Sequence, residues 1–167
     1  VTGRYVALSF RGKGGKDIAC GRDDAPLARA LMHLATLPGP RLFQYRDEDG
    51  AVALISAAEI NAYLREAAGL PVSSKDLRML AANAAAAELL LATDIATSER
   101  GRKRQLADIM RTISERLVNT PAVVRKSYVH AIVVSSYASG KLQRVYRRAR
   151  ARGGCSRIER ALGLLAA

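Results

Sequence analysis

Tyr128 is the residue whose type and neighbours point most directly to chemistry. It follows two cations, Arg125 and Lys126, within three residues. A tyrosine phenol is protonated at neutral pH, with a reference pKa of about 10, but nearby positive charge favours the phenolate and would also hold a phosphate group. Tyr128 is therefore a candidate nucleophile for an anionic substrate. The alternative is a half-buried core tyrosine beside two solvated cations.

A single helix over 121–137 is predicted to carry this tyrosine. Proline is well tolerated at a first helical position, which residue 121 would occupy, and Asn119 or Thr120 can cap the helix. Tyr128 would lie about two turns into the helix, with Arg125 three residues earlier on the same face.

The amino-acid composition limits the kinds of binding partner that we expect for this protein. The 167 residues include 27 Lys and Arg against 15 Asp and Glu, which gives a net charge of +12, and 49% are hydrophobic. A globular chain with that imbalance favours polyanions, and nucleic acid comes first. No apolar run is long enough to span a bilayer and no signal peptide opens the chain, so we expect a cytoplasmic protein without a membrane partner. Cys20 and Cys155 lack a metal-ligand spacing, so we expect free thiols and no metal or cofactor.

The N-terminal stretch predicts a β-hairpin. Strand formers over 4–10 are followed by a glycine-rich turn and a second strand over 18–20. The turn presents Lys13 and Lys16, and its glycines let the backbone approach a ligand. A Walker A phosphate loop is rejected, because that motif needs Ser or Thr after its lysine, and Asp17 follows Lys16.

Amphipathic periodicity predicts a mainly α fold with a small antiparallel sheet at the N-terminal side. An alanine-rich run makes the helix over 74–91 the central one, and the C-terminal stretch is the only plausible appendage to a single domain. The other predicted elements are helices over 25–37, 56–69, 100–118, 121–137 and 157–165, and a third strand over 51–55.

Three motifs in order resemble the catalytic domain of type IB DNA topoisomerases, in the poxvirus-like branch found in bacteria. They are Gly12-Lys13 at the turn after a strand, Lys75-Asp76-Leu77-Arg78 opening a helix, and the segment from Asn119-Thr120-Pro121 to Arg125-Lys126-Ser127-Tyr128. The stretches 42–45 (Leu-Phe-Gln-Tyr) and 61–66 (Asn-Ala-Tyr-Leu-Arg-Glu) are also similar to that branch. The resemblance covers roughly residues 5–134 and implies the fold of DNA breaking-rejoining enzymes.

The resemblance implies a role for each motif residue. Tyr128 would attack a DNA phosphodiester and form a 3′-phosphotyrosyl bond, so that the freed strand rotates and supercoils relax without metal or ATP. Arg78 would hold a non-bridging phosphate oxygen through paired N–H donors. Lys13 would be the general acid for the leaving 5′ oxygen. Asn119 stands where many relatives carry His, and its amide can donate a hydrogen bond to the phosphoryl oxygen.

A duplex DNA substrate would be contacted by further cations, and the protein is expected to act as a monomer. The predicted contacts are Lys16, Lys75, Arg125 and Lys126.

Two features of that family have no counterpart in the sequence. The family uses a first catalytic arginine well upstream of the turn lysine, whereas only twelve residues precede Lys13, and neither Arg4 nor Arg11 matches that position. The family's N-terminal DNA-clamping domain is missing too. We therefore expect residues 1–167 to be the C-terminal catalytic domain of a longer protein, weak or inactive alone.

Two alternatives stay open from the sequence. Tyrosine recombinases share the fold and the nucleophile, but they usually carry His three residues before the motif arginine, where Lys75 stands here, and His about nine residues before the tyrosine, at Asn119. The other alternative is a non-catalytic DNA-binding module of the same fold.

Overall fold

The computed structural model describes residues 1–12, 15 and 17–167. The chain divides into two compact units, which we call the N-terminal unit (Val1–Leu70) and the C-terminal unit (Pro71–Ala167). Each unit has its own hydrophobic core. The division falls between two predicted helices, at a point that the sequence did not mark as a boundary.

The predicted hairpin is present in the N-terminal unit. Strand β1 (Tyr5–Arg11) pairs antiparallel with β2 (Asp17–Asp23). Helix α1 (Ala25–Leu34) follows, capped by the Asp24 carboxylate, which accepts a hydrogen bond from the amide of Leu27 at 3.1 Å. The small core of this unit is built between β1 and α1, from Val6, Ala28 and Leu31.

The third predicted strand is present, and it belongs to a second sheet rather than to the hairpin. Strand β3 (Gln44–Arg46) pairs antiparallel with β4 (Val52–Leu54), in a sheet of its own. The reason is local, because the tight turn over 47–50 brings these two strands together: the Asp47 carboxylate accepts the amide of Ala51 at 2.8 Å, and Gly50 takes a φ of 80°.

Helix α2 (Ala57–Ala68) completes the N-terminal unit, with both ends as predicted. The hydroxyl of Ser56 accepts the amide of Glu59, while the Glu59 carboxylate accepts the amide of Ser56, which makes a capping box. Gly69 ends the helix in a left-handed conformation with a φ of 61°.

The C-terminal unit is helical throughout its regular structure and packs around the alanine-rich helix. That helix buries Ala82, Ala86, Ala87 and Leu90. The six helices of the unit are α3 (Ser74–Leu91), α4 (Glu99–Arg116), α5 (Pro121–Ser127), α6 (Ala131–Ala138), α7 (Lys141–Arg148) and α8 (Arg157–Ala166). Helix α8 contacts α3, α6 and α7 and buries three apolar side chains, so the C-terminal stretch is part of this core and not an appendage.

The predicted single helix over 121–137 is two helices in the structure. Helix α5 ends at Ser127 and α6 begins at Ala131. In a continuous helix the amide of His130 would bond to the fourth carbonyl before it. It instead donates to Asn83 Oδ1 at 2.8 Å, and the amide of Ile132 donates to His130 Nδ1 at 3.2 Å. A tertiary contact and a side-chain cap thus replace the helical ladder, and the prediction was wrong because it saw only local signals.

The fold class is mainly α with a small antiparallel sheet at the N-terminal side, as predicted. Eight helices are present in the part of the chain that the structure describes. None of them, over those residues, is long and apolar enough to cross a membrane.

Candidate active site

Tyr128 lies at the end of α5 and not in the middle of a helix. It is the C-terminal cap residue of α5, with its amide bonded to the carbonyl of Val124 at 3.0 Å, and it is half-buried. Asn83 on α3 donates from Nδ2 to the carbonyl of Tyr128 at 2.9 Å and accepts the amide of His130. The same Nδ2 donates to the carbonyl of Met79 at 2.6 Å. One amide side chain therefore fixes the backbone on the C-terminal side of the tyrosine.

Arg78 and Tyr128 lie next to each other. Arg78 is exposed in the second turn of α3, and its guanidinium carbon is 5.4 Å from the centre of the Tyr128 ring, within range of a cation–π contact. Its Nη2 donates to the main-chain carbonyl of Leu117 at 3.0 Å. The guanidinium is thereby held by α4 on one side and the tyrosine ring on the other.

Asn119 reaches the same carbonyl from the connection between α4 and α5. Its side-chain Nδ2 donates to the Leu117 oxygen at 3.1 Å, and its backbone amide donates to the carbonyl of Ser114 at 2.9 Å. Of the two predicted caps for α5, Thr120 is the one used, since its hydroxyl accepts the amide of Val123. Asn119 is half-buried, and its side chain does not cap α5.

The predicted DNA-contacting cations of this unit are exposed. Lys75 is in the first turn of α3, and Arg125 and Lys126 are in the last turn of α5. Arg125 and Lys126 line a cavity of about 430 Å³ together with Tyr128 and His130. Over residues 1–12, 15 and 17–167, neither of these two cations forms a salt bridge. The charges of Arg125 and Lys126 are therefore not neutralised by a salt bridge to any carboxylate of these residues.

Two predicted residues lie outside the described part of the chain. Lys13, the proposed general acid, and Lys16, a proposed DNA contact, lie between β1 and β2 in the sequence. Their roles stay predictions. Within the C-terminal unit, by contrast, Arg78, Asn119 and Tyr128 are brought together from α3, the α4–α5 connection and the end of α5.

Sequence reasoning missed two components of this site. Asn83 interrupts an alanine-rich run over 81–87, and a lone amide there is a signal, because a polar group on a packed helix face needs hydrogen-bond partners. The Leu117 carbonyl had no signal of its own. Val118, which follows it, takes a φ of 51°, an uncommon conformation for a β-branched residue.

Comparison with known proteins gives one relative and no family model. The DNA topoisomerase 1B of Acanthamoeba polyphaga mimivirus is 29% identical over 139 residues, which cover 79% of this chain and 41% of that protein. The chain thus spans less than half the length of the curated relative that it matches. No protein-family model matches the sequence. The similarity supports a domain like that of a type IB topoisomerase.

Proposed function

We propose that this chain is the catalytic domain of a type IB DNA topoisomerase, which relaxes supercoiled duplex DNA by cutting and rejoining one strand. The observation that carries the proposal is the grouping of Arg78, Asn119 and Tyr128 within one helical unit of a chain with a net charge of +12. The similarity to a viral topoisomerase 1B supports the reaction class.

The proposed step exchanges one phosphate ester for another. The Tyr128 oxygen attacks the phosphorus, a bond from phosphorus to tyrosine forms, and the bond from phosphorus to the 5′ oxygen breaks. The phenol proton passes to solvent, and the leaving oxygen takes a proton from Lys13. Because one ester replaces another, the reverse step reseals the strand after rotation, with no need for ATP or a metal ion.

Arg78 and Asn119 are proposed to stabilise the charge that develops on the phosphoryl oxygens. A guanidinium has five N–H donors, and one of those of Arg78 is used by Leu117, so a pair remains for a phosphate. The Asn119 amide likewise uses one N–H on Leu117 and has a second. Donors fixed before the substrate arrives do not have to reorganise during the reaction.

The finer assignments are also proposals. Lys16, Lys75, Arg125 and Lys126 would contact the phosphates of duplex DNA, and their contribution to affinity should fall as salt rises. The whole chain, 1–167, would act as a monomeric C-terminal catalytic domain of the poxvirus-like bacterial branch. The order of the motifs supports the poxvirus-like branch. The similar protein described above is viral, so the bacterial part of the assignment rests on the motifs alone.

A covalent trapping assay on the full-length protein tests the function, because residues 1–167 are expected to be weak or inactive alone. A nicked duplex, whose short 5′-hydroxyl fragment diffuses away after cleavage, should leave a protein–DNA adduct on a denaturing gel, in the presence of a chelator and without ATP. Tyr128→Phe should abolish the adduct and keep DNA binding, whereas Tyr63→Phe, at a 69% exposed tyrosine of the other unit, should not change it. Binding to DNA without any adduct would favour the non-catalytic module.

Arg78→Ala should slow adduct formation about 10²–10³-fold, since that is the usual loss for one preorganised donor at a transition-state charge. Arg104→Ala, which removes an exposed arginine from α4, is the matched control for charge. Arg78→Lys should recover little, because an ammonium keeps the charge and loses the paired donors. Equal rates for Arg78→Ala and the control would contradict the assigned role.

Lys13 can be tested through the leaving group. A substrate with sulfur in place of the bridging 5′ oxygen leaves as a thiolate, which needs no proton because a thiol has a pKa of about 8.5. Lys13→Ala should therefore be slow on ordinary DNA and close to the wild-type rate on the sulfur substrate. A defect of the same size on both substrates would rule out the general-acid role.

A further inference from the structure

The main-chain carbonyl of Leu117 is the common acceptor of two side chains of the candidate site. Arg78 Nη2 lies 3.0 Å from this oxygen and Asn119 Nδ2 lies 3.1 Å from it. A carbonyl oxygen has two lone pairs and can accept both donors at once. The two bonds bring a residue from α3 and a residue from the α4–α5 connection to one point.

The sequence explains why the Leu117 oxygen has no hydrogen bond to a helical amide. Leu117 is the C-terminal cap of α4, and the residue four positions later, which would donate to its carbonyl in a continuing helix, is Pro121. Proline has no N–H. Because Pro121 cannot donate, this oxygen has no hydrogen bond within a helix. The side chains of Arg78 and Asn119 supply its two hydrogen bonds instead.

Val118 sets the direction of the carbonyl. The amide of Val118 donates to Glu115 O at 3.2 Å and the amide of Asn119 to Ser114 O at 2.9 Å, which is the double closure of a Schellman motif. That motif requires a left-handed residue, usually glycine, and Val118 fills it with a φ of 51°. A β-branched side chain in this conformation is strained, and such outliers cluster at functional sites.

We infer that the Leu117 carbonyl is the positioning group of the site and that Val118, through its left-handed backbone, is a positioning residue for Arg78 and Asn119. The inference rests on the proposed function. The carbonyl holds each side chain by one N–H and leaves the others for two oxygens of the same phosphodiester. Because both donors share one anchor, their spacing is fixed before DNA binds.

The first test changes the backbone at residue 118 and follows single-turnover cleavage of the nicked duplex. Val118→Pro fixes φ near −65° and cannot close the turn, so cleavage should fall about 100-fold, comparable to the loss of one donor. Val118→Asn tolerates the left-handed conformation and should restore most of the rate. DNA affinity should change little in either variant, because Lys75, Arg125 and Lys126 are untouched.

A double-mutant cycle separates positioning from a general loss of structure. If Val118 acts through Arg78 and Asn119, the Val118→Pro change should cost less than about threefold in a background that carries Arg78→Ala and Asn119→Ala together, since coupled residues are not additive. A full 100-fold loss in that background, or wild-type cleavage by a folded Val118→Pro protein, would overturn the inference.

A second measurement does not depend on activity or on a proline variant that folds. Through-hydrogen-bond NMR couplings from Asn119 Nδ2 and Arg78 Nη2 to the Leu117 carbonyl carbon should be observed in the free protein. Replacing Val118 with its α-hydroxy acid turns the Leu117 carbonyl into a weaker ester acceptor, and both couplings should decrease together. Absence of both couplings from the wild-type protein would refute the positioning role, whereas couplings without any DNA cleavage by the full-length protein would refute the proposed function instead.

Discussion

The two units differ in how much apolar surface they bury. Among the described residues, three apolar side chains are buried in the N-terminal unit and sixteen are buried in the C-terminal unit. Arg78, Asn119 and Tyr128 all belong to the second unit. Side chains that must hold a reacting phosphate within a fraction of an ångström need rigid supporting elements. The larger core is therefore where the proposed donors, Arg78 and Asn119, and the proposed nucleophile, Tyr128, are found together.

Much of the apolar surface of the N-terminal unit is exposed to solvent. Large hydrophobic side chains that are at least 45% exposed in this unit include Phe10, Phe43, Leu54, Ile60 and Tyr63. A cavity of about 890 Å³ lies between the hairpin and the second sheet. A unit with so small a core should have a low free energy of unfolding, and position 13 falls within its sequence range.

Truncating one core leucine in each unit should give the largest effects. Leu90 is fully buried in α3, and Leu90→Ala should cost about 4–5 kcal/mol, the upper end of the range for such changes. Leu31 is 3% exposed in a smaller core that can collapse, so Leu31→Ala should cost about 2–3 kcal/mol. Urea unfolding followed by resolved NMR signals of each unit measures both values. Equal costs would show that the two cores are equally rigid.

Removing one tyrosine hydroxyl in each unit should give intermediate effects. Tyr137 is fully buried and donates to Gln105 Oε1 at 2.9 Å, so Tyr137→Phe should cost about 1–1.5 kcal/mol. Tyr45 is 39% exposed and donates to Glu59 Oε1 at 3.0 Å, so Tyr45→Phe should cost less than about 0.5 kcal/mol. Thermal unfolding of the two variants measures both losses of stability, and a larger loss for Tyr45→Phe would contradict the expected order.

The serine caps should contribute similarly in both units, because they are local. Ser73→Ala and Ser56→Ala should each cost about 1 kcal/mol at neutral pH. Hydrogen bonds from the Ser73 hydroxyl and amide lower the pKa of Asp76. That stabilisation is present above the unfolded pKa of about 3.9 and is lost as pH falls through the folded value. The difference between wild type and Ser73→Ala in urea midpoint should therefore shrink as the pH falls below about 3.9, and a constant difference would contradict this.

The smallest effect should appear at alkaline pH. Burial raises the pKa of Tyr137, and the nearby Asp94 carboxylate adds to this. A raised folded pKa gives stability that is fully present below the unfolded value of about 10 and is lost as pH rises through the folded value. The urea midpoint of the C-terminal unit should fall above pH 10, and Tyr137→Phe should flatten that fall. An unchanged slope would show that Tyr137 does not cause it.

Local signals in the sequence predicted the helix ends well. The Ser56 and Glu59 pair, Asp24 and Gly69 each act within four residues of the helix end that they cap, at or next to the starts predicted at 25 and 56 and the end predicted at 69. The break after Ser127 could not be predicted in this way, because the group that causes it, Asn83, is more than 40 residues away in the chain.

The same distinction applies to the candidate site. That Arg78 approaches Tyr128 was expected from the family resemblance and not from the spacing of the residues. The shared Leu117 carbonyl could not be predicted, since Pro121 shows only that this oxygen has no helical donor and does not show which side chains bond to it. Gln44 is a similar case: nothing in the sequence shows that its buried side-chain amide donates to the carbonyls of Leu37 and Pro38 at 3.2 Å.

The contacts of Asn83 limit the degrees of freedom of the tyrosine. With its own carbonyl and the amide of His130 both bonded to that side chain, Tyr128 keeps little backbone motion. Its remaining freedom is two side-chain torsions, χ1 and χ2. In the proposed reaction, the 3′ end of a cut strand would be tethered to a nearly fixed point, and almost all of the rotation between cleavage and rejoining would have to take place within the DNA.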